Sequence, residues 1–178
     1  MEKGKPKEKT KLLREFSAGG VVFKLQGGKT LWLVTKSTPS KLYPESYWRF
    51  PKGWLDDEKG TDKPGPLAKG ERKASEKELE EAALREVKEE GGVVAKIVRK
   101  LGTEKFFFTR SGDKVFKLVT YFLMKWLSDL SEGAGFETSE VAWLPFEKAR
   151  KKLKYSSEKK VLDKAKEILD SGWQESLV

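Results

Sequence analysis

The segment Ser75–Val93, S-E-K-E-L-E-E-A-A-L-R-E-V-K-E-E-G-G-V, constrains the fold more than any other stretch of this chain. Ser75 with Glu78 three residues on is a capping-box start. The run after it is rich in good helix formers. Gly91-Gly92 stops it, one of them suited to the left-handed position that follows a helix. Patterned strand segments lie before and after this single mid-chain helix. "FSAGGVVFKL" (Phe16–Leu25) and "TLWLVTKS" (Thr30–Ser37) form a hairpin across "QGGK". "YWRFPKGW" is a short strand running into a turn. "VVAKIVRKLGTEKFFFT" predicts one or two strands, "KVFKLVTYFLMKWL" a long one and "EVAWLPF" a last short one. "FEKARKKL" and "SSEKKVLDKAKEILDSG" close the chain as helices. Strands, one helix, strands and then helices predict a mixed sheet covered by helices, α/β or α+β in class.

The same helix poses a chemical problem. Glu86, Glu89 and Glu90 share one face, where like charges repel. They also sit in the last turn, at the negative end of the helix dipole. A divalent cation would reverse both penalties, and Mg²⁺ or Mn²⁺ takes carboxylate oxygen. The chain has no His and no Cys, which excludes imidazole bases, thiolate nucleophiles and zinc held by either. Chemistry must come from carboxylates, hydroxyls, lysines or a hard metal on oxygen. A net charge of +9 suits a phosphate-rich partner.

"R-E-V-K-E-E-G-G-V", Arg85–Val93, resembles the second half of the Nudix box, R-E-U-x-E-E-x-G-U with U apolar, at every specified position. "F-P-K-G" (Phe50–Gly53) is similar to its strand-to-loop start, and "SAGGVVF" and "EVAWLPFEKA" to the family's outer strands. The resemblance spans roughly residues 14–155. It implies the Nudix-type α/β/α sandwich and hydrolysis of a nucleoside diphosphate linked to another group, with Mg²⁺ or Mn²⁺. By position, Glu86, Glu89 and Glu90 with the Gly53 carbonyl would ligate the metal. Arg85 would hold a carboxylate in place.

The family spacing is broken. Gly53 lies 32 residues before Arg85 rather than 14, so about 18 residues are inserted, matching an expected loop at 56–74. Lys77 occupies the first glutamate position, with Glu78 and Glu81 as candidate substitutes and Gly70-Glu71 as an alternative anchor. The resemblance leaves the base open among Glu137, Glu140 and Glu89. Lys36, Arg49 and Lys52 are expected to meet phosphates and Tyr121 a base or a phosphate. "FPKG" with "KLVTYFLMK" resembles the diadenosine polyphosphate hydrolase branch. Diphosphoinositol polyphosphates, RNA 5′ ends and a catalytically weakened binding module are the alternatives.

The remaining expectations are coarse. Residues 1–12, with alternating Lys3 to Lys11, read as a flexible basic arm, and 13–178 as one domain. "KARKKLK" (Lys148–Lys154) offers at most weak RNA contact and reads first as solvated surface. Phe106–Phe108 read as core. No apolar run reaches the ~18–20 residues of a membrane span. With no apolar signal core at the N-terminus, the expected location is cytoplasmic.

Overall fold

The structure is a computed structural model, and it describes residues 12–41, 43–55 and 65–173. The expected basic arm, apart from Leu12, lies outside them, as do residues 56–64 of the inserted segment.

Seven strands form one mixed sheet: β1 Leu12–Gln26, β2 Lys29–Ser37, β3 Trp48–Arg49, β4 Lys52–Trp54, β5 Val93–Arg110, β6 Asp113–Asp129 and β7 Thr138–Leu144. The spine runs β3-β2-β1-β6-β5, with β4 pairing β1 and β7 pairing β2. The centre is the parallel pair β1–β6, in register from Leu12↔Lys114 to Phe23↔Lys125. Other pairings are antiparallel. Gln26 pairs Lys29 across Gly27-Gly28, both at positive φ, the backbone a two-residue hairpin of this twist requires.

Both faces of β1 are buried, so its apolar run is continuous rather than alternating. Val21 and Phe23 join one core, with Phe50, Tyr121, Leu123, Leu153 and Leu162. Ala18 and Val22 join the other, with Ala82, Ala83, Val87, Phe122 and Met124. Helix α2, Glu76–Gly91, covers the second face. Helices α3, Phe146–Lys152, and α4, Ser156–Asp170, cover the first. This is the expected α/β/α sandwich. No described helix is long and apolar enough to cross a membrane.

The ends of α2 are where local chemistry puts them. The Ser75 side chain accepts from the Glu78 N–H at 3.2 Å, and the Glu78 carboxylate accepts from the Ser75 N–H at 2.8 Å. Gly92 closes the helix at φ 67°. A side chain there would also strike the backbone of Ala134, 2.6 Å away.

Three expectations need correction. The 56–74 segment is not all loop: Pro66–Lys69 form a single helical turn, α1, with Leu67 buried. Pro66 presets the first helical φ and Gly70 closes the turn in the left-handed region, so these residues act as caps. The segment "YWRFPKGW" makes two strands, broken at Pro51. Of the three phenylalanines, only Phe106 packs on a core. Phe107 is 76% exposed and stacks on Phe116, because α2 covers this face of β5 only near Val93–Ile97.

Helix and sheet meet through glycine. A Cβ on Gly20 would stand 2.5 Å from Val87 Cγ2 and 2.9 Å from Met124 Sδ. Gly20→Ala is therefore expected to push α2 off the sheet and cost about 1–3 kcal/mol. Urea denaturation of the variant checks this, and an unchanged midpoint would show that the contact yields freely.

Candidate functional site

At the C-terminal end of α2, helical periodicity turns Glu86 and Glu90 onto the buried face with Ala82, Ala83 and Val87. Glu89 points to solvent. The three glutamates thus divide: two belong to the interface with the β3–β4 segment and one lines its mouth.

Glu86 lies against β4. A Cβ on Gly53 would overlap its carboxylate, so only glycine admits it there. Arg85 donates to the Trp54 carbonyl at 2.7 Å and to Glu86 Oε1 at 3.3 Å, tying helix to strand. Burial, followed by the charge of Glu90, lifts the Glu86 carboxyl to about 7. Glu90 is 3% exposed. It accepts from the Arg49 guanidinium and from the Lys52 N–H at 2.9 Å. Burial still raises its pKa, against the pull of Arg49.

These donors fit a hard divalent cation. Two buried carboxylates one turn apart are both pushed toward the neutral form, and a backbone without a side chain abuts one of them. Among the described residues, no three acidic side chains are grouped closely enough to hold an ion as they stand. Glu90 is turned to Arg49 and Glu89 to solvent.

The first acidic position of the box has no substitute at the site. Lys77 is exposed and pairs with Glu81 at 3.7 Å along the helix. Glu78 serves the cap and pairs with Arg72, whose hydrogen bond, with the Ser75 N–H next, holds it near 2.

The expected phosphate contacts are arranged differently from their sequence reading. Lys36 pairs across the β2–β7 ladder with Glu140 at 2.7 Å. That bond lowers the Glu140 pKa and makes it a poor base. Tyr121 is fully buried, so it is not placed to stack on a base. Its hydroxyl donates to Glu158 Oε1 at 3.3 Å, and burial holds its pKa well above the usual value. Arg49 is committed to Glu90, with its Nε buried and unpaired.

Two residues of this neighbourhood escaped the sequence reading. Glu158 of α4, 1% exposed, accepts from the Phe50 N–H at 3.2 Å and from Lys52 Nζ at 2.7 Å. It anchors the strand turn that carries Lys52. Lys117 lies two positions along β6 from buried Val119 and four from Tyr121, on the same face. A lysine in phase with inward apolar residues was the available signal. Burial, followed by the charge of Lys52, pulls its pKa down to about 8. Arg49 and Arg110 add to this, while Glu15 opposes them.

In the basic Lys148–Lys154 segment, Arg150 is bonded to Asp163 at 2.8 and 3.1 Å. Lys152 lies over the Trp48 ring, and Lys154 reaches Glu45. These pairings favour the solvated-surface reading over RNA contact.

Beyond the end of α2 opens a cavity of about 630 Å³, lined by Lys88, Glu89, Glu90, Phe136 and Glu137 among others. The β6–β7 loop forms one wall, and hydrogen bonds fasten it to the helix. The Gly135 N–H donates to the Glu89 carbonyl at 2.6 Å and Thr138 Oγ1 to the Glu90 carbonyl at 2.8 Å. Of the candidate bases, Glu137 shares this cavity with Glu89 and acts electrostatically on Glu90. Glu140 does not line it.

Known proteins share this fold. The family model described as NUDIX domain matches residues 14–165. The mutator protein MutT4 of Mycobacterium tuberculosis (strain CDC 1551 / Oshkosh) is 33% identical over 91 residues, 51% of this chain. That match spans 37% of the relative's length. The C. elegans Ap4A hydrolase superposes with a TM-score of 0.57 at 25% identity, over 87% of this chain and 98% of that one. The NUDIX domain of Shewanella oneidensis NrtR, solved with ADP ribose, gives 0.59 at 17% identity, over 88% of each chain, a likeness of fold.

Lys117 generates a pH dependence. The folded chain releases this proton near 8, whereas an unperturbed lysine holds it to 10.5. Below pH 8 the folded state bears the penalty of a buried cation among cations. Between 8 and 10.5 the unfolded state binds more protons, so this group makes stability rise with pH. Lys117→Met is expected to raise the melting temperature at pH 7 and to remove its share of that rise. Calorimetric scans from pH 7 to 10 test it, and parallel profiles for the two proteins would refute it.

Proposed function

The chain belongs to the NUDIX domain family, and on that premise we propose that it is a divalent-metal-dependent pyrophosphohydrolase of nucleoside polyphosphates, with a dinucleoside polyphosphate as preferred substrate. The observation that carries this reading is the buried Glu86–Glu90 pair, of which Glu90 lines a cavity that also holds Glu89 and Glu137. The 25% identical Ap4A hydrolase, matched over nearly its whole length, supports the choice of substrate.

In this reading Glu86, Glu89 and Glu90, with the Gly53 carbonyl, hold Mg²⁺ or Mn²⁺. A cation held there would supply charge neutralisation for the anhydride oxygens. Arg85 keeps Glu86 aimed by bonding it and the Trp54 carbonyl together. Arg49 does the same for Glu90. Lys52, Lys117 and Lys88 supply positive charge for the phosphate chain, which relieves the crowding that lowers Lys117. Glu137 takes a proton from the water that attacks phosphorus. Water adds across one P–O–P bond, leaving two phosphate-terminated products, and the proton passes to solvent.

One observation favours a second reading, a weakened Nudix-fold module that binds a nucleotide without rapid turnover. Lys77 stands at the first acidic position of the box, and Glu78 and Glu81 are committed elsewhere.

Incubation with Mg²⁺ and a panel of diadenosine tetraphosphate, nucleoside triphosphates, ADP-ribose, diphosphoinositol polyphosphate and triphosphorylated RNA separates the two. Metal-dependent cleavage of diadenosine tetraphosphate is expected. Glu89→Gln, at an exposed position, should lower it by about a hundredfold or more without loss of stability. Metal-dependent binding with no cleavage of any member would give the second reading the lead.

Mg²⁺ should also raise the melting temperature of the wild-type chain, since it binds the folded state alone. That shift should shrink in Glu86→Gln. A full shift in the variant would remove Glu86 from the metal set.

A further inference from the structure

The cavity contains an aromatic side chain that nothing in the fold explains. Phe136 is 89% exposed, although it precedes Glu137 directly and lines the same cavity as Glu89 and Glu90. A lone exposed phenylalanine on a loose loop would mean little. This loop is not loose. Its backbone is bonded on both sides of the ring: Thr38 Oγ1 donates to the Phe136 carbonyl at 2.8 Å, and the Thr38 N–H to the Glu137 carbonyl at 2.9 Å. Gly135 is held to the Glu89 carbonyl, and Thr138 to Gly135 and to the Glu90 carbonyl. The ring therefore projects from a fixed frame without packing on either core.

We infer that Phe136 is the specificity-determining contact of this site and stacks on a nucleobase of the bound polyphosphate. The inference rests on the pyrophosphohydrolase reading and selects among its substrates. Lys88 and the proposed cation hold the phosphates at the carboxylate end of the cavity. Phe136 meets what is attached to them, beside an apolar wall of Val94, Leu130 and Ala134. Every nucleobase offers a flat π face to such a ring. An inositol ring crowded with phosphates offers none, so the exposed ring favours a nucleoside substrate over an inositol one. A volume of about 630 Å³ is within the range of small-ligand sites, ~300–1,000 Å³.

The test is calorimetric binding of a methylene-bridged, non-hydrolysable analogue of diadenosine tetraphosphate, and separately of a diphosphoinositol polyphosphate, to wild type, Phe136→Ala and Phe136→Trp, with Mg²⁺ present. The alanine variant should bind roughly ten- to a hundredfold more weakly, the range that base–aromatic stacking is worth. The tryptophan variant should bind at least as tightly as wild type. The thermal shift caused by Mg²⁺ alone should be the same in all three, because no metal-holding group has changed. Equal affinity of the alanine variant and wild type would overturn the inference while leaving the hydrolase reading intact. So would a wild-type chain that prefers a diphosphoinositol polyphosphate. An alanine variant that also loses its Mg²⁺ shift would mark Phe136 as structural and overturn the stacking role. A wild-type chain that binds neither ligand would remove the hydrolase reading and this inference with it.

Discussion

The site depends on how the end of helix α2 is fastened to the β3–β4 turn. Glu90 accepts the Lys52 N–H and the Arg49 guanidinium, and Arg85 answers from the helix with a bond to the Trp54 carbonyl. Three bonds in both directions bring two carboxylates into the interior and hold them there. Buried charge is costly unless it is paired and hydrogen-bonded. Here Glu90 has a cation, while Glu86 has the weaker reach of Arg85 and a pKa lifted to about 7. The interface is stable enough to fold and remains short of positive charge at one place.

Across the site the imbalance has the opposite sign. Burial, with the charges of Lys52, Arg49 and Arg110, disfavours the charge of Lys117. Glu158 and Glu15 offset part of it. The +9 charge of the chain is therefore a poor guide to where a polyanion would bind. Much of the basic surface, including Arg150 and Lys36, is already paired. What matters is Lys117, the cation whose own environment disfavours its charge.

The legible parts of this molecule were those governed by local chemistry. The capping box, the Gly91-Gly92 stop and the Gly27-Gly28 hairpin each depend on residues a few positions apart, and each stands where the sequence reading put it. The family was legible because the spacing of Arg85–Val93 repeats a known pattern. The long-range pairings were not legible. Lys36 with Glu140, Tyr121 with Glu158 and Lys52 with Glu158 are partners 104, 37 and 106 residues apart. Reading each residue alone made it a free functional group, while the fold had given it a partner. Period-two phasing along β6 would have exposed Lys117 and Tyr121 as inward-facing. The short helix at Pro66 was missed because proline and glycine read as loop, although at its two ends they are caps.

The parallel pairing of β1 with β6 has a consequence for how the chain reaches this state. Leu12 pairs with Lys114 and Phe23 with Lys125, so the central seam joins residues about a hundred apart. The helix that carries the carboxylates lies in the span between them. Closing so large a loop costs entropy before any contact repays it, and such topologies fold slowly. During synthesis, the apolar strand Val21–Phe23 emerges long before its partner and waits with one edge bare. The turn that receives Glu86 and Glu90 hangs from that same strand, since β4 pairs with Ser17–Gly19. The wall facing Glu90, Gly133–Glu137, comes from the loop after β6, so the cavity is complete only when the chain has been made well past the carboxylate helix.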